Sequence, residues 1–364
     1  MLLGSKGGAP GWICYTAIVA LLGLPIIGCG DPSESEASPA RPCTVAESPN
    51  PSGGCCVAGT APNPAGGCCP AGTMPADNGS CVPAGVPPER CAAGFTPSDS
   101  GGCLAILPPE PCPGATMAVP GEAECRDIVD CGPAPWGNVP VEANTQYVDG
   151  AYAGGDGNGT ADRPWASIQQ GIDAAAAGAV VAVAAGSYQE DLVIADKAVR
   201  LWGRCPSAVE VVCIASRAAA LEIGLGADQS EVHGLALTGD CQGAILSGAH
   251  EVTLEGIWVR DTTMQGVLVT ETLGPVSATI RNSVVEDTDS VGILAGGAEL
   301  TVEASSIRNI RAGGTQGYAQ GIYALSGAST MAAPMVVVRG SVVEGVPGFG
   351  IRFTGGQGTV ESSV

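Results

Sequence analysis

Basic and aromatic side chains are scarce in this chain. Its 364 residues include 15 Lys and Arg against 36 Asp and Glu, 2 His and 3 Phe, for a net charge of -21. Such an excess of negative charge opposes polyanions unless a local basic cleft or metal offsets it, so no nucleic-acid partner is expected. With aromatics at 4% the chain offers only a modest stacking platform for sugars. The apolar run Trp12 to Ile27 holds 16 residues with Pro25 inside it, short of the roughly 20 that a membrane-spanning helix needs. Between Cys43 and Cys131 there is too little apolar material to build a core, and no histidine to support a Cys/His metal site.

What the chain does have is a repeat. From Val232 the segments VHGLAL, LEGIWV, IRNSVV, VEASSI, VRGSVV and VESSV align beneath one another, starting at Val232, Leu254, Ile280, Val302, Val338 and Val360. The steps of 22, 26, 22, 36 and 22 give a 22-residue unit with insertions in two copies. A second motif, GAIL at Gly243, recurs as GVLV at Gly266, GILA at Gly292, GIYA at Gly321 and GIRF at Gly350. Two short alternating apolar runs per unit, parted by glycine and polar residues, signal strands rather than helix turns. Twenty-two residues are too few for a propeller blade and suit one turn of a parallel β-helix.

Stacked turns about 4.8 Å apart would bring equivalent positions together. One such column reads Glu255, Arg281, Glu303, Arg339, Glu361, and another Arg260, Glu286, Arg308, Glu344. Both alternate in sign, as a charge ladder should, because like charges directly opposed destabilise. The next column, Asp261, Asp287, Asn309 and Gly345, with Asp240 near the same place, suits a corner that needs left-handed backbone. A carboxylate row binding a cation or a sugar is the competing reading.

At the N-terminus Lys6, the apolar run and a small residue before Cys29 make a secretory signal over residues 1–28. The ending IIGC resembles the lipobox of bacterial lipoproteins, which implies lipidation at Cys29, attachment to a membrane through that lipid, and, with Gly30 following, an outer-membrane or cell-surface location. Residues 29–42 are polar and proline-rich and read as a flexible tether. A disulfide-stapled stalk is expected over 43–146. Its cysteines are Cys43, Cys55, Cys56, Cys68, Cys69, Cys81, Cys91, Cys103, Cys112, Cys125 and Cys131, and Cys205, Cys213 and Cys241 follow in the repeat region. Setting aside Cys14 and Cys29 leaves fourteen, enough for seven disulfides; eleven lie before residue 132, so full pairing demands at least one bridge between the two regions.

From Tyr147 the chain carries a glycine-rich loop, a capping box at Ser167 and Gln170, Ile168 and Ile172 on one helical face, the run AVVAV from Ala179 as a strand, GSY as a turn, and further strands at 192–194 and 199–202. Tyr147, Val148, Asp149, the GDGNGT loop, Pro164, Trp165, Ile168, Ile172, Ala175, Gly186, Tyr188 and Glu190 together resemble the N-terminal signature of the pectin-lyase-like right-handed parallel β-helix superfamily. The resemblance spans Tyr147 to Val364 and implies an all-β solenoid over 147–364 whose open first coil is capped by a short helix. It is specific for fold and poor for activity. With Val364 falling inside a repeat, the solenoid is expected to be incomplete there.

Enzymes of that superfamily cleave polysaccharides with paired carboxylates, or with calcium and a basic residue. The polygalacturonase-like run of paired aspartates, Gly-His-Gly and Arg-Ile-Lys is absent. Lys197 is the single lysine after Lys6, and His233 and His250 stand in unrelated contexts. Most arginines are committed to the charge columns, Arg217 and Arg352 being the loosest; no catalytic residue is assigned. Asp156, Asn158 and Asp162 form an oxygen-rich set for calcium, with a plain loop as the simpler reading. Trp258, Tyr323 and Phe353 are candidates for stacking on sugars, and insertions at 273–277, 311–319 and 327–335 would supply loops. The expected function is a non-catalytic envelope β-helix serving surface structure or binding polysaccharide or a surface partner, with a polysaccharide lyase or glycoside hydrolase as the alternative. If Cys29 carries a lipid, Cys29→Ser abolishes incorporation of labelled palmitate into the chain expressed in a bacterial host, while secretion of the protein continues.

Overall fold

The computed structural model describes residues 13–17, 26–30, 43–44, 47–57, 60–70, 73–75, 79–83, 86, 88–98, 102–313, 319–328 and 331–364. The chain forms two compact units, Met1–Gly85 and Val86–Val364. In the first, Ile13–Ala17 pairs antiparallel with Ile26–Gly30, the strand that holds Cys29; most of the expected signal and tether lies outside the described residues. Three hairpins follow, closed by disulfides Cys43–Cys55, Cys56–Cys68 and Cys69–Cys81, each spanning 12 positions. Because Cys55 adjoins Cys56 and Cys68 adjoins Cys69, one hairpin leads directly into the next. Cross-links of roughly 2–4 kcal/mol each replace the core that this composition cannot build.

The second unit is a parallel β-solenoid of three sheets with nine, seven and seven strands. The first sheet runs from Gln146–Val148 to Gln357–Glu361, the second from Gly186–Gln189 to Val342–Glu344, and the third from Leu192–Ile194 to Gly348–Thr354. Val232, Leu254, Ile280, Val302, Val338 and Val360 pair one with the next in register along the first sheet. All but Val360 are fully buried, and they form one wall of a core that runs inside the coils.

Each turn has three strands where the sequence suggests two apolar runs. The first run bends at a single left-handed residue: Gly234 (φ 62°), Gly256 (61°), Asn282 (47°), Ala304 (45°), Gly340 (55°) and Ser362 (46°). Leu254 thus lies in the first sheet and Trp258 in the second. Just past the bend a buried serine ladder ties the coils together. The backbone N–H of Ile257 donates to Ser283 Oγ, that of Ser283 to Ser305 Oγ, and that of Ser305 to Ser341 Oγ, each at 3.2 Å. The next corner is also left-handed, with Asp261, Asp287, Asn309 and Gly345 at φ 49–61°; in the preceding coil Gly239, not Asp240, takes positive φ. The recurring glycines then enter the third sheet. A Cβ on Gly266 would fall 2.5 Å from Val285 Cγ1 and 2.7 Å from Gly292 O, so no larger residue fits without displacement.

At the N-terminal end the helix Ile168–Ala174 begins with Ser167 Oγ accepting from Gln170 N. The Glu190 carboxylate accepts from the Ile168 and Gln169 amides at 2.8 and 3.0 Å, and Lys197 Nζ donates to the Asp173 and Ala175 carbonyls at the other end. The segment GSY is not a turn. Gly186–Gln189 is a strand, held by pairing with Val209–Val212 and by the buried Tyr188, whose hydroxyl donates to Ala184 O.

The expected 43–146 stalk does not behave as one piece, because residues 86–146 belong to the solenoid unit. Its apolar residues are the reason. Met117 and Ile128 bury against Val284 with Trp258 beside them, and Val139 buries against Val180 and Ala182. This strap also carries disulfides Cys91–Cys103 and Cys112–Cys125 and is tied to the first sheet by Cys131–Cys205, a bridge between the two cysteine regions. Cys213–Cys241 completes the seven.

Glu255, Arg281, Glu303, Arg339 and Glu361 stand in register on the first sheet, with Arg281–Glu255 at 2.7 Å and Arg339–Glu303 at 3.5 Å. Arg260, Glu286, Arg308 and Glu344 do so on the second. There Arg308 and Glu286 pair at 2.6 Å with side chains 3% and 8% exposed, and Arg308 also donates to Gly114 O of the strap. Arg308→Ala, which leaves Glu286 buried and unpaired, should lower stability by about 3–5 kcal/mol. Arg281→Ala on the solvated ladder should cost no more than about 1 kcal/mol, both read from urea denaturation midpoints.

Candidate functional site

The charge column of the first sheet continues towards the N-terminus as His233 and Trp202, the partners of Glu255 and His233 in register. Neither extension is charged at neutral pH in the manner of the ladder, and both are covered by the strap. The His233 ring stacks on that of Trp202, with centroids 3.9 Å apart and planes at 24°. Its Nε2 lies 3.0 Å from Glu231 Oε2 and its Nδ1 3.4 Å from Glu255 Oε2. The side chain is 9% exposed. Burial pushes the imidazole below its ordinary value, against the pull of Glu231 and Glu255.

Strap residues Val129, Asp130, Asn138 and Val139 face Trp202, His233 and Glu255 across a cavity of about 180 Å³. Three features hold the strap there. Cys131 is bonded to Cys205, Arg204 donates to the Cys131 and Gly132 carbonyls at 3.1 and 3.0 Å, and Trp136 Nε1 donates to Val148 O. In sequence His233 is a lone histidine in a repeat. Its membership of the column that becomes Glu255 and Arg281 was the available signal, since it sits one residue after the aligned Val232.

The outer face of the third sheet offers a second kind of surface. Val193, Glu222, Ile245, Leu268, Leu294, Tyr323 and Arg352 succeed one another in register, and all are partly exposed. The row is apolar except at Glu222, which pairs with Arg217 at 3.0 Å, and at Arg352. Exposed Leu225 and Leu273 flank a groove of about 280 Å³ beside Val193 and Ile245. The Arg352 guanidinium lies 5.2 Å from the centre of the Tyr323 ring and 5.0 Å from that of Phe349.

No acid and arginine cluster outside the two columns is legible in the repeat alignment, yet the fold builds one at the corner between the second and third sheets. Arg311 Nε bonds Asp289 Oδ1 at 2.7 Å and Nη2 donates to Thr262 O. Burial, with the carboxylates of Glu286 and Asp261 nearby, raises the Asp287 carboxyl above its usual range. Asp289 and Arg311 occupy the same offset in consecutive units, a pairing hidden by its being confined to two copies.

Other candidates are placed as follows. Asp156 accepts from the Tyr152 hydroxyl at 2.6 Å, which holds its carboxyl low, and lies 3.6 Å from Arg163. Asn158 Oδ1 accepts from Thr160 N and Oγ1. Asp162 joins neither set of contacts, and no group of three metal-ligating side chains occurs among the described residues. Trp258 packs beneath the strap with its indole donating to Glu286, so it offers no open face for a sugar. Tyr323 belongs to the third-sheet row, and Phe353 to the inward column, where it is 36% exposed in the last coil. Of the expected insertions, 314–318 and 329–330 lie outside the described residues.

Because the buried imidazole binds a proton less readily than the unfolded one, its contribution to stability is complete above about pH 6.5 and is lost as the pH falls below that value. The urea midpoint of the wild type should therefore drop more between pH 7.5 and pH 5 than that of His233→Gln.

No family model matches the chain, and no curated protein does. Among solved structures, it is similar to an alginate lyase from Paenibacillus sp. str. FPU-7, with TM-score 0.41 and 18% identity over 51% of this chain and 72% of that one. A pectin methylesterase from Aspergillus niger gives TM-score 0.38 and 15% identity over 62% of this chain and 87% of its own. The catalytic domain of a GH87 alpha-1,3-glucanase gives 0.34 and 15% over 54% and 43%. At these identities none of them assigns a role to a residue of this chain, whose parallel β-solenoid stands on its own strand pairing.

Proposed function

We propose that this chain is an exported, lipid-anchored envelope protein that binds polysaccharide along the outer face of its third sheet without cleaving it. The observation that carries the reading is the outward row from Ile245 through Leu268 and Leu294 to Tyr323. A solenoid repeats that position about every 4.8 Å on a rigid support. A regularly spaced, partly exposed apolar row suits a polymer of repeating rings whose C–H faces need a platform, and exposed apolar patches of this kind mark interaction sites. Seven disulfides suit an oxidising, extracytoplasmic compartment, and no helix among the described residues is long and apolar enough to cross a membrane. The net charge of -21 favours neutral over uronate-bearing chains.

A catalytic reading rests on the Asp289–Arg311 corner with Asp261 and Asp287 beside it. One experiment separates the two. The full chain is mixed with neutral and uronate-bearing polysaccharides, with calcium or with EDTA, and both retention and product release are measured. Retention on a neutral polysaccharide, weakened at least tenfold by Leu268→Asp and Leu294→Asp with the fold intact by circular dichroism, is the expected result. New reducing ends or unsaturated products that vanish with Arg311→Ala would establish the catalytic reading instead. Failure to be retained on any polysaccharide overturns both carbohydrate readings and leaves a protein partner.

A further inference from the structure

The third-sheet row does not stand on a flat surface. Two residues further along each strand the outward positions read Ala195, Gly224, Ser247, Thr270 and Gly296, small residues beside large ones. Near the start of the row they leave the groove of about 280 Å³ between Val193 and Ile245, far more than the roughly 10–15 Å³ that admits one water. Gly224 lines it. A Cβ on Gly224 would meet nothing within 4 Å, and its backbone is not left-handed. Neither packing nor backbone geometry calls for glycine there, so what the missing side chain provides is depth.

One wall is built from two exposed leucines of neighbouring coils, Leu225 and Leu273. They close in over Gly248, where a Cβ would fall 2.7 Å from Leu225 Cδ2 and 3.2 Å from Leu273 Cβ. The Leu273 amide donates to Ser247 Oγ at 2.8 Å, which fixes that wall. Ser247 is itself buried, and among the described residues nothing accepts its hydroxyl hydrogen. A hydroxyl both accepts and donates, so one hydrogen-bond donor remains in a groove that Val193, Leu225, Ile245 and Leu273 otherwise make apolar. A sugar branch rich in hydroxyls would leave most of its polar groups unmatched there. A single carbonyl followed by a short alkyl group would not. The charged groups of the lining are Asp196, which is exposed, and Glu222, which pairs with Arg217. Both are carboxylates, so an anionic substituent is disfavoured.

We propose that the groove receives an uncharged short acyl group, carried as an ester on the neutral polysaccharide that lies along the row. The Ser247 hydroxyl donates to the ester carbonyl, and the alkyl end packs between Val193, Leu225 and Leu273. The proposal rests on the function stated above and narrows its ligand to O-acylated neutral chains. Val193 and Ile245 belong to both the row and the groove, so a ring seated on the row can turn its substituent inward without leaving its path.

The test measures retention of the full chain on pullulan, dextran and deacetylated glucomannan, each unmodified, butyrylated or succinylated to the same degree. Butyryl and succinyl groups have equal chain length and differ in a terminal methyl against a carboxylate. A butyrylated chain should be held about tenfold more tightly than its unmodified form, as burial of two methylene groups gives, and the succinylated chain no more tightly. Gly224→Leu, which fills the groove, should abolish the butyryl advantage and leave retention of the unmodified chain unchanged, whereas Leu268→Asp should weaken every form. Should Gly224→Leu fail to fold, as judged by circular dichroism, Leu273→Ser on the exposed wall replaces it, with the advantage expected to fall several-fold. Equal retention of butyrylated and unmodified chains, the same gain from succinylation, or a butyryl advantage kept by the folded groove variant overturns this proposal and leaves the function above standing. Retention of none of the forms overturns both.

Discussion

Parallel stacking at about 4.8 Å is the constraint on which everything else in the solenoid depends. Once Val232, Leu254, Ile280, Val302, Val338 and Val360 pair in register, every other position of the unit meets its equivalent in the next coil. Each column must then be compatible with itself. Aliphatic columns satisfy this by filling the core. Serine satisfies it because a hydroxyl both accepts and donates: Ser305 Oγ takes the Ser283 amide and gives its own hydrogen to Glu303 O. Charged columns satisfy it only by alternating in sign.

The same constraint explains why the outer faces differ so much. The first sheet carries its ladder of charge, the second is sealed by the strap over Trp258 and Val284, and the third is left apolar and partly open. An apolar outer row is costly to keep unless something covers it, whereas a ladder of ion pairs is close to neutral in water. The fold therefore concentrates its unmet surface on one sheet. The strap does for the second sheet what a ligand is proposed to do for the third.

Where the strap crosses from the second sheet to the first, the ladder changes character. Glu255 has a guanidinium on one side and a buried imidazole on the other. The strap buries the His233 imidazole, while the Glu231 and Glu255 side chains beside it keep 39% and 28% of their surface exposed.

Much of the coil was legible from the amino acids alone, because a solenoid writes its contacts at a fixed sequence offset. The alternation of Glu255, Arg281, Glu303 and Arg339 marks neighbours without any knowledge of the fold, as does the parity that requires a disulfide such as Cys131–Cys205 to join the two cysteine regions. The serine ladder was equally available, in the recurring NSV, SSI and GSV, but a small polar residue in a turn has many readings. The third strand of each turn was hidden because one left-handed residue, such as Gly256, is enough to divide an apolar run between two sheets. The sequence by itself thus determined the register and the columns, since these depend on periodicity. Only the tertiary structure decided that residues 86–146 wrap the coils as a strap, that His233 is buried between two carboxylates, and that Arg311 meets Asp289. Those contacts join segments without a shared period, or arise from a corner whose geometry no spacing encodes.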